Sequence, residues 1–202
     1  MSASDTTNGG RGGFSRRDFL KGSGAVAAAT ALHAQSATAL ADDEAQVVRG
    51  ATEISLEVNG KAHKVKVEPR TTLLEVLRYQ LDLTGAKPVS LDGSSGASTV
   101  LLDDKPITAS NTLAIACNGK KVQTVESLGG DRPDAVPLAF VEHDAQQCGF
   151  CTPGFVMAVR AFLNKNPKAT EEQIRKGLNG NICRCGTYAN VIQAAIAVVK
   201  GG

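Results

Sequence analysis

The chain contains no tryptophan, and aromatic residues make up only 4% of its 202 residues. Any hydrophobic core must therefore be built mainly from leucine, valine, isoleucine and alanine. Net charge is also small, because 22 basic and 20 acidic residues leave a formal charge of +2. That balance gives no reason to expect a nucleic-acid partner. Five cysteines are too few for a disulfide-stapled miniprotein, but they suffice for one four-ligand metal site and one further thiol.

The first 41 residues predict an export signal rather than part of the fold. Residues 15–21 read Ser-Arg-Arg-Asp-Phe-Leu-Lys and match every fixed position of the twin-arginine pattern S-R-R-x-F-L-K. A weakly apolar stretch follows and ends in Ala39-Leu40-Ala41, a typical cleavage signal. The alternative, a membrane anchor, is disfavoured because the stretch is too weakly hydrophobic for a stable membrane span. We expect a periplasmic bacterial protein that is exported already folded, with its cofactor in place.

Residues 42–128 form a strand-rich module with one helix. Alternating apolar residues predict strands at 54–58, 65–67, 99–103 and 121–125, with a hairpin turn at Asn59-Gly60. Thr72 can cap a helix that ends before Gly85. Its apolar stripe consists of Leu73, Leu74, Leu77 and Leu81. The order of these elements predicts a small α+β roll.

A helical module follows a linker at 129–137, which is rich in glycine and proline. Helical periodicity predicts helices at 138–147, 155–164 and 188–200, and the capping box of Thr170 with Gln173 begins a further one. The sequence thus predicts an α+β protein with a helical module at 138–202.

Four cysteines lie in two closely spaced pairs within the helical module. These pairs are Cys148-Gly-Phe-Cys151 and Cys183-Arg-Cys185, and each stands just before a predicted helix. Thiolates are soft ligands that suit iron–sulfur clusters or zinc. Two helix N-termini would offset the negative charge of a four-thiolate cluster. A zinc site is disfavoured because one residue between cysteines is a tight spacing, and a redox disulfide lacks a thioredoxin-like context. The pattern favours an iron–sulfur cluster.

The sequence resembles the iron–sulfur subunits of the xanthine dehydrogenase and aldehyde oxidoreductase family of molybdenum hydroxylases. The segments that carry the resemblance are Gln147-Cys-Gly-Phe-Cys-Thr152, Gly180-Asn-Ile-Cys-Arg-Cys-Gly-Thr-Tyr188, Thr72-Leu-Leu-Glu-Val-Leu-Arg78, Leu83-Thr-Gly-Ala-Lys87 and Thr99-Val-Leu-Leu-Asp103. Together they extend over most of the chain after the export signal. The resemblance implies a β-grasp ferredoxin-like domain followed by a four-helix domain, each of which binds one [2Fe–2S] cluster in the family.

The resemblance also implies roles for particular residues and partners. The helical-domain cluster would be held by Cys148, Cys151, Cys183 and Cys185. Gln147 and Cys185 would lie against the pterin of a molybdopterin-binding catalytic subunit. The complex would oxidise aldehydes or N-heterocycles, with an FAD-binding subunit or a cytochrome c as candidate electron acceptors.

The sequence departs from the family at the ferredoxin-type cluster. The four positions that correspond to its ligands are all serine: Ser90, Ser95, Ser98 and Ser110. A serine hydroxyl is a hard ligand that does not readily deprotonate near neutral pH, so it suits an iron–sulfur cluster poorly. Leu91 also replaces the aspartate expected after the first ligand, whereas Gly93 and Gly96 would still allow the loop to form. We therefore expect one cluster rather than two.

The remaining candidates are simpler to interpret. Cys117 lies in an apolar, strand-like stretch and is expected to be a buried structural thiol. His143 is expected on a helix surface, and Arg184 could contact the cluster or simply face solvent. The chain shows no catalytic triad, paired acid–base carboxylates or phosphate-binding loop, so substrate chemistry is expected on a partner. The competing hypothesis is a redox-silent or zinc-stabilised module that only docks to that partner.

Overall fold

A five-stranded mixed sheet organises the first part of the described chain. The structure is a computed structural model, and it describes residues 48–201, so the predicted export signal lies outside the described residues. The strands are β1 (Thr52–Val58), β2 (Lys61–Val67), β3 (Thr99–Leu102), β4 (Lys105–Thr108) and β5 (Lys121–Gln123). Their order is β2-β1-β5-β3-β4, in which only β1 and β5 run parallel.

The hairpin of β1 and β2 follows directly from the sequence. Along β1, Ile54, Leu56 and Val58 are buried, and the residues between them face solvent. Asn59 and Gly60 both have positive φ angles, 52° and 77°. Two consecutive left-handed residues match the right-handed twist of paired strands. The predicted hairpin is confirmed.

The predicted helix after Thr72 is present but changes its winding. It starts as a single α-helical turn, α1 (Leu73–Glu75), and continues as a π-helical turn (Val76–Gln80). Thr72 and Glu75 form a capping box, with the Glu75 N–H donating to Thr72 Oγ1 at 3.2 Å and the Thr72 N–H donating to Glu75 Oε2 at 2.7 Å. Because its apolar residues are buried against the sheet, tertiary packing stabilises this short element.

The helices of the second part are α2 (Ala135–Glu142), α3 (Thr152–Lys165), α4 (Glu171–Gly177) and α5 (Tyr188–Gly201). The prediction of a helix at 138–147 was wrong in its bounds, and the last three positions of the predicted linker at 129–137 are helical. Asp134 caps α2 by accepting a hydrogen bond from the Val136 N–H at 2.8 Å. Pro137 lies in the first helical turn, where a missing N–H costs nothing.

The sheet and the helices belong to one compact unit. Leu101 of β3 is buried together with the apolar side chains of the helices. Helix α3 comes so close to the loop before β3 that a Cβ on Gly154 would lie 2.4 Å from the Gly96 carbonyl oxygen. Across residues 48–201, no helix is both long enough and apolar enough to cross a membrane.

Candidate metal centre

Two loops carry the four paired cysteines, and each loop leads into a helix. Cys151 is the N-cap residue of α3, and its carbonyl oxygen accepts a hydrogen bond from the Phe155 N–H at 3.1 Å. In the second loop, the Thr187 carbonyl oxygen accepts a hydrogen bond from the Val191 N–H at 3.0 Å, which starts α5. Gly149 and Gly186 have φ angles of 80° and 84°, which let each loop turn sharply beside its cysteines.

The fold brings the thiols together across the two loops. Cys148 lies near Cys185, and Cys151 lies near Cys183, so that each thiol shifts the pKa of its neighbour. Each pair therefore takes one cysteine from each loop. Among the described residues, no group of three or more histidine, cysteine or carboxylate side chains surrounds a single point. The contacts join the thiols two by two.

Hydrogen bonds and burial differentiate the four thiols. A hydrogen bond from the Phe150 backbone N–H, with a second from Cys185, lowers the pKa of Cys148. Burial raises the pKa of Cys151 to about 12, with a contribution from its hydrogen bond to Cys183. Burial also acts to raise the pKa of Cys183, but hydrogen bonds outweigh it and lower the value to about 7. The donors to Cys183 are the side chain and backbone of Thr187, the Cys151 thiol and the Gly186 backbone.

The opposing effects at Cys185 leave its pKa raised. The backbone of Cys148 acts to lower it, but the hydrogen bond that Cys185 makes to the Cys148 side chain, together with the nearby thiolate charges, raises it. In each pair, therefore, one thiol ionises more readily than its neighbour.

Two residues that the sequence analysis did not single out hold Cys183. The Thr187 hydroxyl lies 3.4 Å from the Cys183 sulfur, and Thr187 is only 4% exposed. The Cys183 backbone N–H donates to Tyr188 Oη at 2.6 Å. The Tyr188 ring in turn meets Phe155 edge to face, with centroids 6.0 Å apart. Two signals were available in the sequence: both residues belong to the family segment 180–188, and Thr187 stands just before a predicted helix, where threonine favours the N-cap.

The site opens to solvent on one side. Gln147 and Cys148 are exposed, whereas Cys183 is only 7% exposed. Phe150 and Ile182, which neighbour the thiols in sequence, expose 52% and 55% of their surface. We call Gln147, Cys148, Phe150 and Ile182 the cysteine face. Its two large exposed apolar side chains are unusual next to polar thiols at a surface.

The thiols suit a two-iron cluster. Such a cluster is held by four thiolates, with two on each iron, and the observed pairs supply two thiols at each of two places. Helices α3 and α5 both begin beside the thiols, so their N-terminal dipoles and free N–H groups can offset the anionic charge. The chemistry of this donor set therefore fits an iron–sulfur cluster.

The four serines at the positions where the resemblance implies ferredoxin-type ligands also form two pairs. Ser90 Oγ and Ser95 Oγ are 2.7 Å apart, and the Ser98 hydroxyl donates to Ser110 Oγ at 2.9 Å. Ser98 and Ser110 are buried, with 2% and 4% of their surface exposed. The structure thus brings all four residues to the loop expected from the sequence, where the hydroxyls bond to one another.

The other candidates lie away from the paired thiols. Cys117 is fully buried as predicted, and burial raises the pKa of its thiol, but it ends a 3₁₀ helix (Ala114–Cys117) instead of lying in a strand. Its thiol donates to the Leu113 carbonyl at 3.6 Å. His143 is the C-cap residue of α2, and Arg184 is exposed between two paired cysteines.

Comparison with known proteins identifies the class of the chain. Residues 124–196 match the family model of the [2Fe-2S] binding domain, and residues 13–33 match the twin-arginine translocation pathway signal sequence. The chain is therefore an iron–sulfur protein with a twin-arginine export signal. The predicted signal is confirmed, and export into the periplasm is consistent with it.

Individual relatives identify the family. The aldehyde oxidoreductase iron–sulfur-binding subunit of Escherichia coli O157:H7 is 37% identical over 197 residues, covering 90% of this chain and 86% of the relative. The nicotine 6-hydroxylase small subunit of Paenarthrobacter nicotinovorans is 40% identical over 144 residues, covering 71% and 87%. The crystal structure of quinoline 2-oxidoreductase from Pseudomonas putida 86 matches with a TM-score of 0.71 and 37% identity, covering 75% of this chain and 95% of that one. The chain belongs to the iron–sulfur subunits of the aldehyde oxidoreductase and xanthine dehydrogenase family.

Proposed function

We propose that this chain is the electron-transfer subunit of a molybdenum hydroxylase complex and carries one [2Fe–2S] cluster. Cys148, Cys151, Cys183 and Cys185 would hold that cluster. The observation that carries the proposal is the pairing of these thiols across two loops that both lead into helices. Bound there, the cluster would supply one-electron transfer, and the chain's residues would hold, shield and orient it. Relatives named as subunits of aldehyde- and nicotine-oxidising enzymes support this role.

The cysteine face is the proposed contact with the molybdopterin-binding catalytic subunit. Gln147 and Cys185 would lie against the pterin there, as the family resemblance implies. Exposed apolar side chains beside a cofactor site are typical of a protein interface, and Phe150 and Ile182 provide them. Substrates of the complex would be aldehydes or N-heterocycles. Electrons would pass on to an FAD-binding subunit or a cytochrome c.

The sheet part of the chain is proposed to be a β-grasp ferredoxin-like domain without a cluster. The serine hydroxyls at the former ligand positions donate to and accept from one another, so the loop satisfies its polar groups internally. Hydroxyls are also poor partners for iron in such clusters. Electrons would therefore leave the subunit from the helical-domain cluster, without a second step through the ferredoxin-like domain.

Metal and sulfide analysis of the purified chain tests this proposal. One cluster predicts two irons and two sulfides per chain, visible absorption, and a single paramagnetic signal on reduction. About four irons with two signals would refute the single cluster. A colourless, zinc-loaded protein would refute the iron–sulfur assignment altogether.

Variants of the cysteines test the ligands and the competing docking role. Cys151→Ser should abolish visible absorption, whereas Cys117→Ala, which alters a buried thiol in the sheet part, should retain it. In the assembled complex, Cys148→Ser should stop electron flow to an external acceptor. If turnover survived that change, the chain would be a docking module instead of an electron carrier.

A further inference from the structure

We propose that the serine loop, residues 90–98, is a metal-free brace that positions the cysteine loop, residues 180–185. The proposal rests on the proposed function, because the cysteine loop carries two of the proposed cluster ligands. It assigns a role to hydroxyls that electron transfer does not use. The hydroxyl pairs would keep the serine loop in shape, and that loop would hold the cysteine loop in place.

The hydroxyl pairs close the serine loop on itself. Ser90 Oγ accepts a hydrogen bond from the Ser95 backbone N–H at 2.9 Å, in addition to its contact with the Ser95 hydroxyl. Ser98 Oγ accepts from the Ser110 N–H at 3.2 Å while its hydroxyl donates to Ser110 Oγ. Each pair thus links two separated backbone positions through both a side chain and an amide. The four hydroxyls would therefore crosslink this loop, as a bound metal would otherwise do.

The closed serine loop presents two carbonyl oxygens to the cysteine loop. The Ser95 carbonyl accepts a hydrogen bond from the Ile182 N–H at 3.0 Å. The Gly96 carbonyl accepts one from Asn181 Nδ2 at 2.9 Å, and Asn181 is only 8% exposed. Both donors stand immediately before Cys183 in the chain. The position of Cys183, the first proposed ligand in the cysteine loop, therefore depends on the backbone of the serine loop.

Backbone contact at Gly96 makes this coupling tight. Gly96 has a φ of +66°, and a Cβ there would lie 2.4 Å from the Gly180 carbonyl oxygen. The two backbones meet without an intervening side chain, so a shift of one loop must be followed by the other. A rearrangement of the hydroxyl pairs would therefore displace residues 180–182 directly.

Hydrogen–deuterium exchange on the full chain, followed by mass spectrometry, tests the brace. Ser90→Ala removes the acceptor of the Ser95 N–H, and we expect exchange in peptides spanning 180–185 to accelerate roughly two- to tenfold, the equivalent of one hydrogen bond. Ser94→Ala is the matched control, because the hydroxyl of the exposed Ser94 donates to Asp92 Oδ1 and, among the described residues, contributes to neither serine pair. Ser90→Thr keeps a hydroxyl and should restore slow exchange. Peptides from β1 and β2 should be unaffected in all three variants.

Unchanged exchange at 180–185 in Ser90→Ala would overturn the brace. So would an equal acceleration in Ser94→Ala, or a uniform rise that includes the β1–β2 hairpin, since either would show general loosening. In the iron-loaded chain, Ser90→Ala should also release iron to a chelator faster than Ser94→Ala does. Absence of iron from the wild-type chain would refute the proposed function alone, because the exchange measurement does not require a cluster.

Discussion

The contact between helix α3 and the serine loop predicts that a single methyl group at Gly154 destabilises the protein. A Cβ at that position would lie 2.4 Å from the Gly96 carbonyl oxygen and 3.0 Å from Ala97 Cα. Both neighbours are backbone atoms, so neither can turn aside as the end of a flexible side chain could. The change Gly154→Ala therefore forces the helix and the loop apart.

Two effects oppose each other in this variant, and their magnitudes decide the sign. Alanine is favoured over glycine inside a helix by up to about 1 kcal/mol, and by less in the first turn, where Gly154 lies. Overfilling a well-packed contact costs about 1–3 kcal/mol. Carbon atoms in favourable contact are about 3.5–4.0 Å apart, so the helix must move by roughly 1 Å. We expect a net loss of about 1–2 kcal/mol in the free energy of unfolding.

Urea unfolding of Gly154→Ala measures this loss against a matched helical glycine. Gly201, at the end of α5, has open space around its Cβ position, so Gly201→Ala should change stability by less than about 0.5 kcal/mol. If Gly154→Ala proved as stable as that control, the two backbones could not be in close contact. The serine loop would then lose part of its proposed support.

Three further predictions concern the thiols and the start of α2. In the cluster-free chain, Cys183 should make the free energy of unfolding rise from pH 7 to pH 9. Its pKa is lowered from 9.0 to about 7, so the folded state binds fewer protons than the unfolded state in this range. The raised pKa values of Cys151 and Cys185 act in the opposite direction, mainly from pH 9 upward. Urea unfolding of Cys183→Ser across this range should show a smaller rise. Thr187→Val should lower the reduction potential of the cluster by roughly 20–60 mV, which corresponds to the loss of a hydrogen bond worth ~0.5–1.5 kcal/mol. Thr187→Ser keeps the hydroxyl and should leave the potential unchanged. A potentiometric titration that shows no shift for the valine variant would contradict this prediction. Asp134→Ala should cost about 1–3 kcal/mol on unfolding, because it removes both a helix cap and a 3.1 Å ion pair with the half-buried Arg160. Asp134→Asn keeps the cap and should cost about half as much, so equal losses would show that the cap contributes little.

The sequence predicted those elements whose two faces differ in polarity. Strand β4 (Lys105–Thr108) escaped prediction because its residues are exposed or half-buried throughout, so no apolar alternation marks it. It contains Pro106 and lies at the edge of the sheet, the position where proline is tolerated in a strand. Strand β5 ends at Gln123 rather than at 125, because Thr124 bonds to the Asn59 side chain and Val125 starts a 3₁₀ helix. These features depend on neighbours that are distant in sequence.

The sequence predicted which cysteines would lie near one another but not how they would pair. The spacing of the cysteines identified all four residues that the structure brings together. Cys148 meets Cys185 and Cys151 meets Cys183, across the two motifs rather than within them. Connectivity between cysteines cannot be read from spacing alone, since it depends on how α3 and α5 pack. The hydrogen bond from the Cys183 N–H to Tyr188 Oη was not predicted, for the same reason.

The pairing of the serines is consistent with the proposal that this loop keeps its shape without a metal. Facing thiolates repel each other unless iron offsets their charge, whereas a hydroxyl is both a donor and an acceptor. Two facing hydroxyls can therefore satisfy each other while remaining neutral, as Ser98 and Ser110 do in a buried position. A loop held in this way still offers its carbonyl oxygens to the Asn181 side chain and the Ile182 N–H, and so remains in contact with the loop that carries Cys183.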